Sequence, residues 1–261
     1  MTEPVTLILV AFPPEWDAMV PHVAAAETHR IIGRTVITGD FAGKPVVFAQ
    51  TGVSMVNAAM MTQLLIDRFA VSRIVVSGIA GGLDPMHPVG RTIAPARWGQ
   101  FLEVGMGRAT GTGYVLPPLP GATDLPPYGM MIPRDAIVGN AHEAEGARRW
   151  IDADPALLDV ARGIVGRDLR VGGAGLSGSA FVDNAAYRDY LFATFAADVL
   201  DMESAAIAQV AYANAVPFIV FRALSDLAGG EADANQLPAW MARAAANAAA
   251  VTRDFVAALP D

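Results

Sequence analysis

The stretch from Val199 to Gly229, VLDMESAAIAQVAYANAVPFIVFRALSDLAG, constrains this chain more than any other. A short apolar segment ends in Asp201-Met202-Glu203, an alanine-rich helical pattern follows, and a second apolar segment from Phe218 to Leu224 ends in Ser225-Asp226. That order reads as strand, helix, strand, with a carboxylate at the C-terminal end of each strand. In open α/β sheets ligands bind in the crevice outside those ends. Glu203 and Asp226 then face one pocket if their strands are near neighbours, and two acids at one rim can do acid–base work. Taken alone, the residues also fit structural roles: Glu203 complementing a helix dipole from the first turn, Asp226 as a turn residue.

At 261 residues the chain is long enough to bury a substantial core. Neither an internal repeat nor a clean linker divides it, so one domain is the simplest account. A formal net charge of −8 argues against a nucleic-acid partner, which calls for a basic footprint, and favours a small ligand. Four scattered histidines and no cysteine leave no thiolate chemistry, no disulfide and no zinc-like spacing, so neither a metal nor a cofactor is expected. The N-terminus carries an acid in place of a basic region, and its apolar run stops at Pro13-Pro14, so it reads as a first strand and not as a signal peptide. No run approaches the roughly 20 apolar residues of a membrane span. A cytoplasmic location is expected, unless a leader has been removed.

Val5 to Ala11 reads as a strand buried on both faces. Glu15, just after the two prolines, begins a helical pattern that extends to about Ala26, where its bland role is that of a first-turn acid. Arg34 to Phe41 and Lys44 to Gln50 flank an Ala42-Gly43 turn as a hairpin, and Thr51 to Ala59 form a strand-to-helix turn in which Val53 reads as core. Ser72 to Ser77 is a strand running into a glycine-rich turn, Gly78-Ile79-Ala80-Gly81-Gly82. Arg91 to Pro95 and Arg97 to Val104 read as two more strands. From about 105 to 154 the chain is crowded with glycine and proline and lacks a helical period, the mark of an irregular insertion serving as a binding loop or subunit contact. Pro155 to Gly163 is helical, Arg170 to Leu176 a strand, and Pro238 to Leu259 one long helix anchored by Trp240, Met241, Phe255 and Leu259.

In their order these runs resemble the purine nucleosidase and phosphorylase superfamily, most of all the 5′-methylthioadenosine/S-adenosylhomocysteine nucleosidases. The resemblance spans nearly the whole chain apart from the segment after Gly105. There, Gly129-Met130-Met131-Ile132-Pro133, Trp150 and Asp154-Pro155-Ala156-Leu157-Leu158 look like the longer branch that includes plant bark storage proteins. Ala11, Phe12 and Glu15 fall at the family's alanine, methionine and water-activating glutamate, with Pro13 and Pro14 in place of acids. Ser177-Gly178-Ser179-Ala180-Phe181-Val182 resembles the family's Ser-Gly-Asp-Ala-Phe-Ile run, where the aromatic ring stacks on the base and the next residue recognises its edge. Met202, Glu203, Arg222, Ser225 and Asp226 match the C-terminal signature one by one.

The resemblance implies a mixed, twisted α/β sheet flanked by helices and an enzyme that hydrolyses a purine N-ribosidic bond, in a homodimer. It implies Glu15 as general base and Asp226 as general acid, with Ser225 orienting the latter. Glu203 grips the ribose hydroxyls, Arg222 fixes that carboxylate, Met202 lines the sugar, Val53 lines the substrate, and Phe181 and Val182 hold the base. Two departures matter. Ile79 stands where relatives carry a serine that helps hold ribose or water, and Val76 stands where phosphorolytic relatives carry a phosphate-holding arginine. The rivals are a phosphate-dependent phosphorylase and a purine-binding or storage protein without turnover.

Overall fold

The computed structural model describes residues 3–229 and 236–260. The chain opens with β1 (Val5–Val10), α1 (Pro13–Met19), a 3₁₀ turn over Val20–His22, β2 (Val23–Ile31), β3 (Arg34–Phe41), β4 (Lys44–Gln50), α2 (Met55–Arg68) and β5 (Val71–Gly82). Short strands follow: β6 (Thr92–Ala94), β7 (Arg97–Gln100), β8 (Val104–Met106), β9 (Arg108–Thr110), β10 (Gly113–Val115), β11 (Met131–Pro133), β12 (Ala136–Val138), β13 (Gly146–Arg148) and β14 (Ile151–Asp152). Then come α3 (Pro155–Arg162), β15 (Leu169–Val171), β16 (Ala174–Ser177), α4 (Ala185–Phe195), β17 (Val199–Asp201), α5 (Ser204–Ala213), β18 (Phe218–Leu227) and α6 (Leu237–Ala258).

Twelve of these strands form one mixed sheet in the order β14-β7-β16-β17-β5-β1-β4-β3-β2, with β18 beside β5 and joined through β6 to β15. β1 is buried along its whole length and pairs in parallel with β4 and β5, which explains its unbroken apolar sequence. Leu7, Ile8 and Leu9 meet Val47, Phe48, Ile74, Val75, Ile219 and Phe221 in the main core. α6 lies on β5 and β18, where the small Ala244 and Ala248 permit close approach and Phe255 packs against Phe221 with ring centroids 5.0 Å apart. Among its expected anchors, Phe255 and Leu259 are buried, while Trp240 and Met241 are half-buried.

Four sequence expectations are corrected. The strand expected from Arg97 to Val104 ends at Gln100, and Val104 opens β8, which pairs with β11 outside the large sheet. The helix expected from Glu15 to about Ala26 ends at Met19, and Val23–Ile31 is a strand laid antiparallel on β3. Pro21 breaks the helical ladder, and cross-strand bonds outweigh the few tenths of a kcal/mol per residue by which alanine favours helix. The glycine-rich segment after Ser77 is not a turn: β5 continues through Gly82 because β18 pairs with it in parallel as far as Leu227. The strand expected from Arg170 to Leu176 breaks at Gly172 and Gly173, whose φ values of +118° and +76° let β15 leave for β6 while β16 enters between β7 and β17. Between residues 105 and 154 the chain builds the antiparallel pairs β8–β11, β9–β10 and β12–β13, and β14 joins the large sheet on β7. No helix among the described residues is long and apolar enough to cross a membrane.

Candidate active site

β5 is the common neighbour that brings the candidate acids together. β18 runs parallel to it, and β17 pairs antiparallel with its last residues, Gly81 and Gly82. Glu203 lies two residues beyond the end of β17, as the N-cap of α5, and Asp226 lies near the end of β18, so the two carboxylates reach the same end of β5. The register between β18 and β5 slips between Leu224 and Asp226, and the extra residue, Ser225, re-aims the strand end. Ser225 Oγ donates to Asp226 Oδ1 at 2.7 Å, and both residues are buried.

Glu15 arrives from the opposite end of the sequence. It sits in the first turn of α1 but is 2 % exposed, so its role is not that of a solvated first-turn acid. Its carboxylate accepts the N–H of Ala11 at 2.6 Å and that of Ile79 at 2.8 Å. A Cβ on Gly78 would lie 2.1 Å from both Glu15 Oε1 and Arg222 Nη1, so this position must be glycine for the two side chains to meet beside β5.

Arg222, on β18 and fully buried, is the hub. Its Nε donates to Asp201 Oδ2 at 2.7 Å, its Nη1 to Glu15 Oε1 at 3.2 Å, and its Nη2 to Glu203 Oε2 at 3.3 Å. Ser54 N donates to the other Glu203 oxygen at 2.8 Å. Asp201 also accepts from Ser177 Oγ at 2.5 Å, from the hydroxyl of Ser204, and from the backbone N–H groups of Glu203 and Ser204, each at 3.1 Å. One guanidinium therefore serves three buried carboxylates.

The electrostatics follow from that imbalance. Burial pushes the Glu203 carboxyl up to about 7; Arg222 pulls it back, Asp201 and Glu15 push it further, and the Ser54 N–H lowers it. Burial likewise raises Glu15 above the usual carboxylate range, against the lowering pull of Arg222 and of the N–H groups of Ala11 and Ile79. For Arg222, burial disfavours the charge, but Asp201, Glu15 and Glu203 together outweigh it and raise its pKa. An acid-rich site of this kind favours a ligand that develops positive charge.

A cavity of about 210 Å³ opens over this cluster. Glu15, Asp226, Glu203, Met202, Ser225, Ile79, Val53, Phe181 and Val182 all line it, together with Asp201; Arg222 stands behind them. No lysine, arginine or histidine lines the cavity among the described residues. Val53 and Phe181 are not core: Phe181 is 58 % exposed at the mouth. Ile79 packs its side chain towards Ala223, Ala244 and Ala248. Sequence reasoning gave no role to Asp201, Ser54, Ser177, Ser179 or Ser204. A carboxylate closing an otherwise apolar strand was the available signal for Asp201. Ser179 accepts from Ser54 Oγ at 2.7 Å and thereby ties the run bearing Phe181 to the start of α2.

One histidine cluster was hidden from spacing. His87 Nε2 lies 2.9 Å from Asp198 Oδ1 and 3.8 Å from Asp84, a grouping that could hold a cation. Arg170 Nε reaches the same Asp198 oxygen at 3.3 Å and Arg91 lies 3.5 Å from His87 Nδ1, so positive charge is already supplied there.

A mixed α/β sheet whose strand ends gather buried carboxylates around one arginine, over an apolar cavity, defines a nucleoside phosphorylase-like protein. Residues 6–257 match the phosphorylase superfamily, and the chain belongs to that family. It is 34% identical over 220 residues to the 5′-methylthioadenosine/S-adenosylhomocysteine nucleosidase of Listeria welshimeri, covering 81% of this chain and 80% of the relative. The nucleosidase of the same name from Halalkalibacterium halodurans is 33% identical over 196 residues, 75% of this chain and 73% of its own length. The crystal structure of the Colwellia psychrerythraea nucleosidase in complex with adenine superposes with a TM-score of 0.77 at 25% identity, covering 99% of this chain and 96% of that one.

Proposed function

We propose that this protein hydrolyses the N-ribosidic bond of a purine nucleoside, with 5′-methylthioadenosine or S-adenosylhomocysteine as substrate, and releases adenine. The observation that carries the choice of water over phosphate is the charge of the site. Glu15, Asp201, Glu203 and Asp226 line the cavity with no basic side chain among the described lining residues, and Glu15 already takes the N–H of Ile79. Phosphate binds where cationic side chains or unsatisfied amides face it. Val76, at the place of the phosphate-holding arginine, is buried in the core.

As the C1′–N9 bond breaks, positive charge develops on the ribose and negative charge on the purine. Water attacks C1′ while Glu15 takes its proton, and protonated Asp226 delivers a proton to purine N7, so neutral adenine leaves together with the ribose that still carries its 5′-thio substituent. Each transfer is worth roughly 10²–10⁴-fold. Ser225 fixes one oxygen of Asp226, and Glu203 accepts the ribose hydroxyls, held in turn by Arg222 and Ser54. Met202 lines the sugar, Val53 and Ile79 the apolar wall, and Phe181 with the backbone at Val182 receives the base; stacking on the exposed ring of Phe181 suits a flat heterocycle. The buried acids favour the cationic ribosyl group as it forms.

We also read the chain as cytoplasmic and as a homodimer, the latter supported by the exposed Val56 and Met60 in the first turns of α2 and the exposed Val53 just before it. Sedimentation at micromolar concentration tests the dimer.

The deciding experiment is adenine release from methylthioadenosine, S-adenosylhomocysteine and adenosine, each with and without phosphate. Release that does not depend on phosphate is the expected result. Release that requires phosphate and yields the correspondingly 5-substituted ribose 1-phosphate would replace hydrolysis by phosphorolysis. Purine binding without release would identify a binding protein.

A further inference from the structure

We propose that Asp201 is a positioning residue for this reaction: it holds Arg222 by the Nε edge and takes up its charge, so that the guanidinium orients Glu15 and Glu203 without neutralising them. The inference rests on the reading of Glu15 as the general base.

Its geometric basis is the division of labour around one side chain. The guanidinium presents its donors in a fixed planar fork. Asp201 takes the Nε edge at 2.7 Å, which leaves Nη1 and Nη2 at 3.2 Å and 3.3 Å from Glu15 and Glu203. Asp201 is itself immobilised. Five donors converge on its carboxylate: Arg222 Nε, the hydroxyls of Ser177 and Ser204, and the backbone N–H groups of Glu203 and Ser204. Ser177 is pinned from behind by the Ala205 N–H at 2.8 Å, so the anchor is built from β16, β17 and α5 together.

Without Asp201, the charge of Arg222 would fall on Glu15 and Glu203. A carboxylate tightly paired with arginine is a poor base, because its ionised form is too well stabilised. The charged groups around Glu15 are Arg222 and Asp226 on β18 and Asp201 with Glu203 at the β17–α5 junction. Replacing Asp201 by asparagine strengthens the pull of Arg222 and removes a like charge, and both changes stabilise ionised Glu15. The acid limb of activity, which requires ionised Glu15, should therefore move to lower pH.

The test compares wild type, Asp201→Asn and Asp201→Glu by adenine binding, by the pH profile of kcat/KM, and by the carboxyl carbon resonance of Glu15 in glutamate-labelled protein, assigned by its loss in Glu15→Gln. Asp201→Asn should bind adenine as wild type does and lose turnover roughly 10- to 100-fold, the scale on which a partner one step behind a functional group commonly acts. Its acid limb and its Glu15 titration should both move down by about one pH unit. Asp201→Glu keeps the charge, so it should lose turnover with the Glu15 titration unmoved. A folded Asp201→Asn protein whose Glu15 titrates as in wild type overturns the proposal, even if turnover falls. Should Asp201→Asn fail to fold, wild-type turnover in Asp201→Glu overturns it. Failure of the activity reading is separate: a wild type that releases no adenine sinks that reading, while the Glu15 titration still decides the role of Asp201.

Discussion

Arg222 Nη1 lies 3.2 Å from Glu15 Oε1, across 207 residues of sequence, with both side chains sealed from solvent. Gly78 makes the meeting possible, and Asp201 and Glu203 share the remaining edges of the same guanidinium. A buried charge cluster of this composition adds little net stability, since desolvation offsets most of the attraction. Its consequence is chemical: two glutamates are held at raised pKa beside an apolar cavity.

Arg222→Met should be severely destabilising. It removes the cation that pairs with Asp201, Glu15 and Glu203, and stranding a buried partner in this way costs about 3–5 kcal/mol. Urea unfolding at pH 7 reads the loss directly. Because the stranded groups are acids, the deficit should shrink as the pH is lowered towards their ordinary range.

Glu15→Gln and Asp226→Asn should each reduce turnover by about 10²–10⁴-fold while leaving adenine binding and the thermal transition close to wild type. Both substitutions keep the shape of a side chain that lines the cavity. Unchanged turnover in either variant would remove that residue from the mechanism. Ser225→Ala should act more weakly and in the same direction as Asp226→Asn, because it only frees one oxygen of that carboxyl.

Glu203 makes stability depend on pH with a definite sign. Its carboxyl is raised from 4.5 to about 7 in the folded protein, so folding favours the protonated form. The associated stability is fully present below about pH 4.5 and is lost as the pH rises to about 7, by at most roughly 3 kcal/mol. Glu203→Gln should flatten that part of the profile. Denaturant midpoints measured from pH 4.5 to 8 for both proteins check it, and parallel profiles would exclude Glu203 as the source.

Ser54 is a strained residue at the mouth of the site. Its φ of +87° and ψ of 155° belong to a region that is costly for any residue with a Cβ, and in that conformation its N–H reaches Glu203. Both Ser54→Gly and Ser54→Ala lose the exposed hydroxyl bond to Ser179 and keep the Glu203 contact, but only glycine relieves the strain, so Ser54→Gly should gain about 1 kcal/mol while Ser54→Ala should lose a little stability. Thermal melts of the two variants should therefore move in opposite directions.

Several features were legible in the sequence because they are local. The buried strand at β1, the hairpin of β3 and β4, and the run of strand, helix and strand from Val199 to Leu227 follow from apolar period and turn chemistry. The candidate site residues were found from motif order, and all of them except Arg222 line one cavity, with Arg222 directly behind. The failures are those of local propensity. The segment from Val23 to Ile31, alanine-rich at its start, became strand because β3 offered a ladder, with Ala25 and Ala26 bulged out of the pairing, and Gly78 to Gly82 stayed extended because β18 paired with them.

What the sequence determined by itself, then, was the set of elements and the chemical inventory of three candidate acids with an arginine. Tertiary structure decided which of those charges share a partner. β5 seats β17 on its end and β18 along its length, and only that pairing puts Asp201, Glu203 and Glu15 around one guanidinium. Periodicity is a property of neighbours in sequence, whereas the protonation of a buried acid depends on charges a few ångströms away in space, contributed here by residues as much as 207 positions apart.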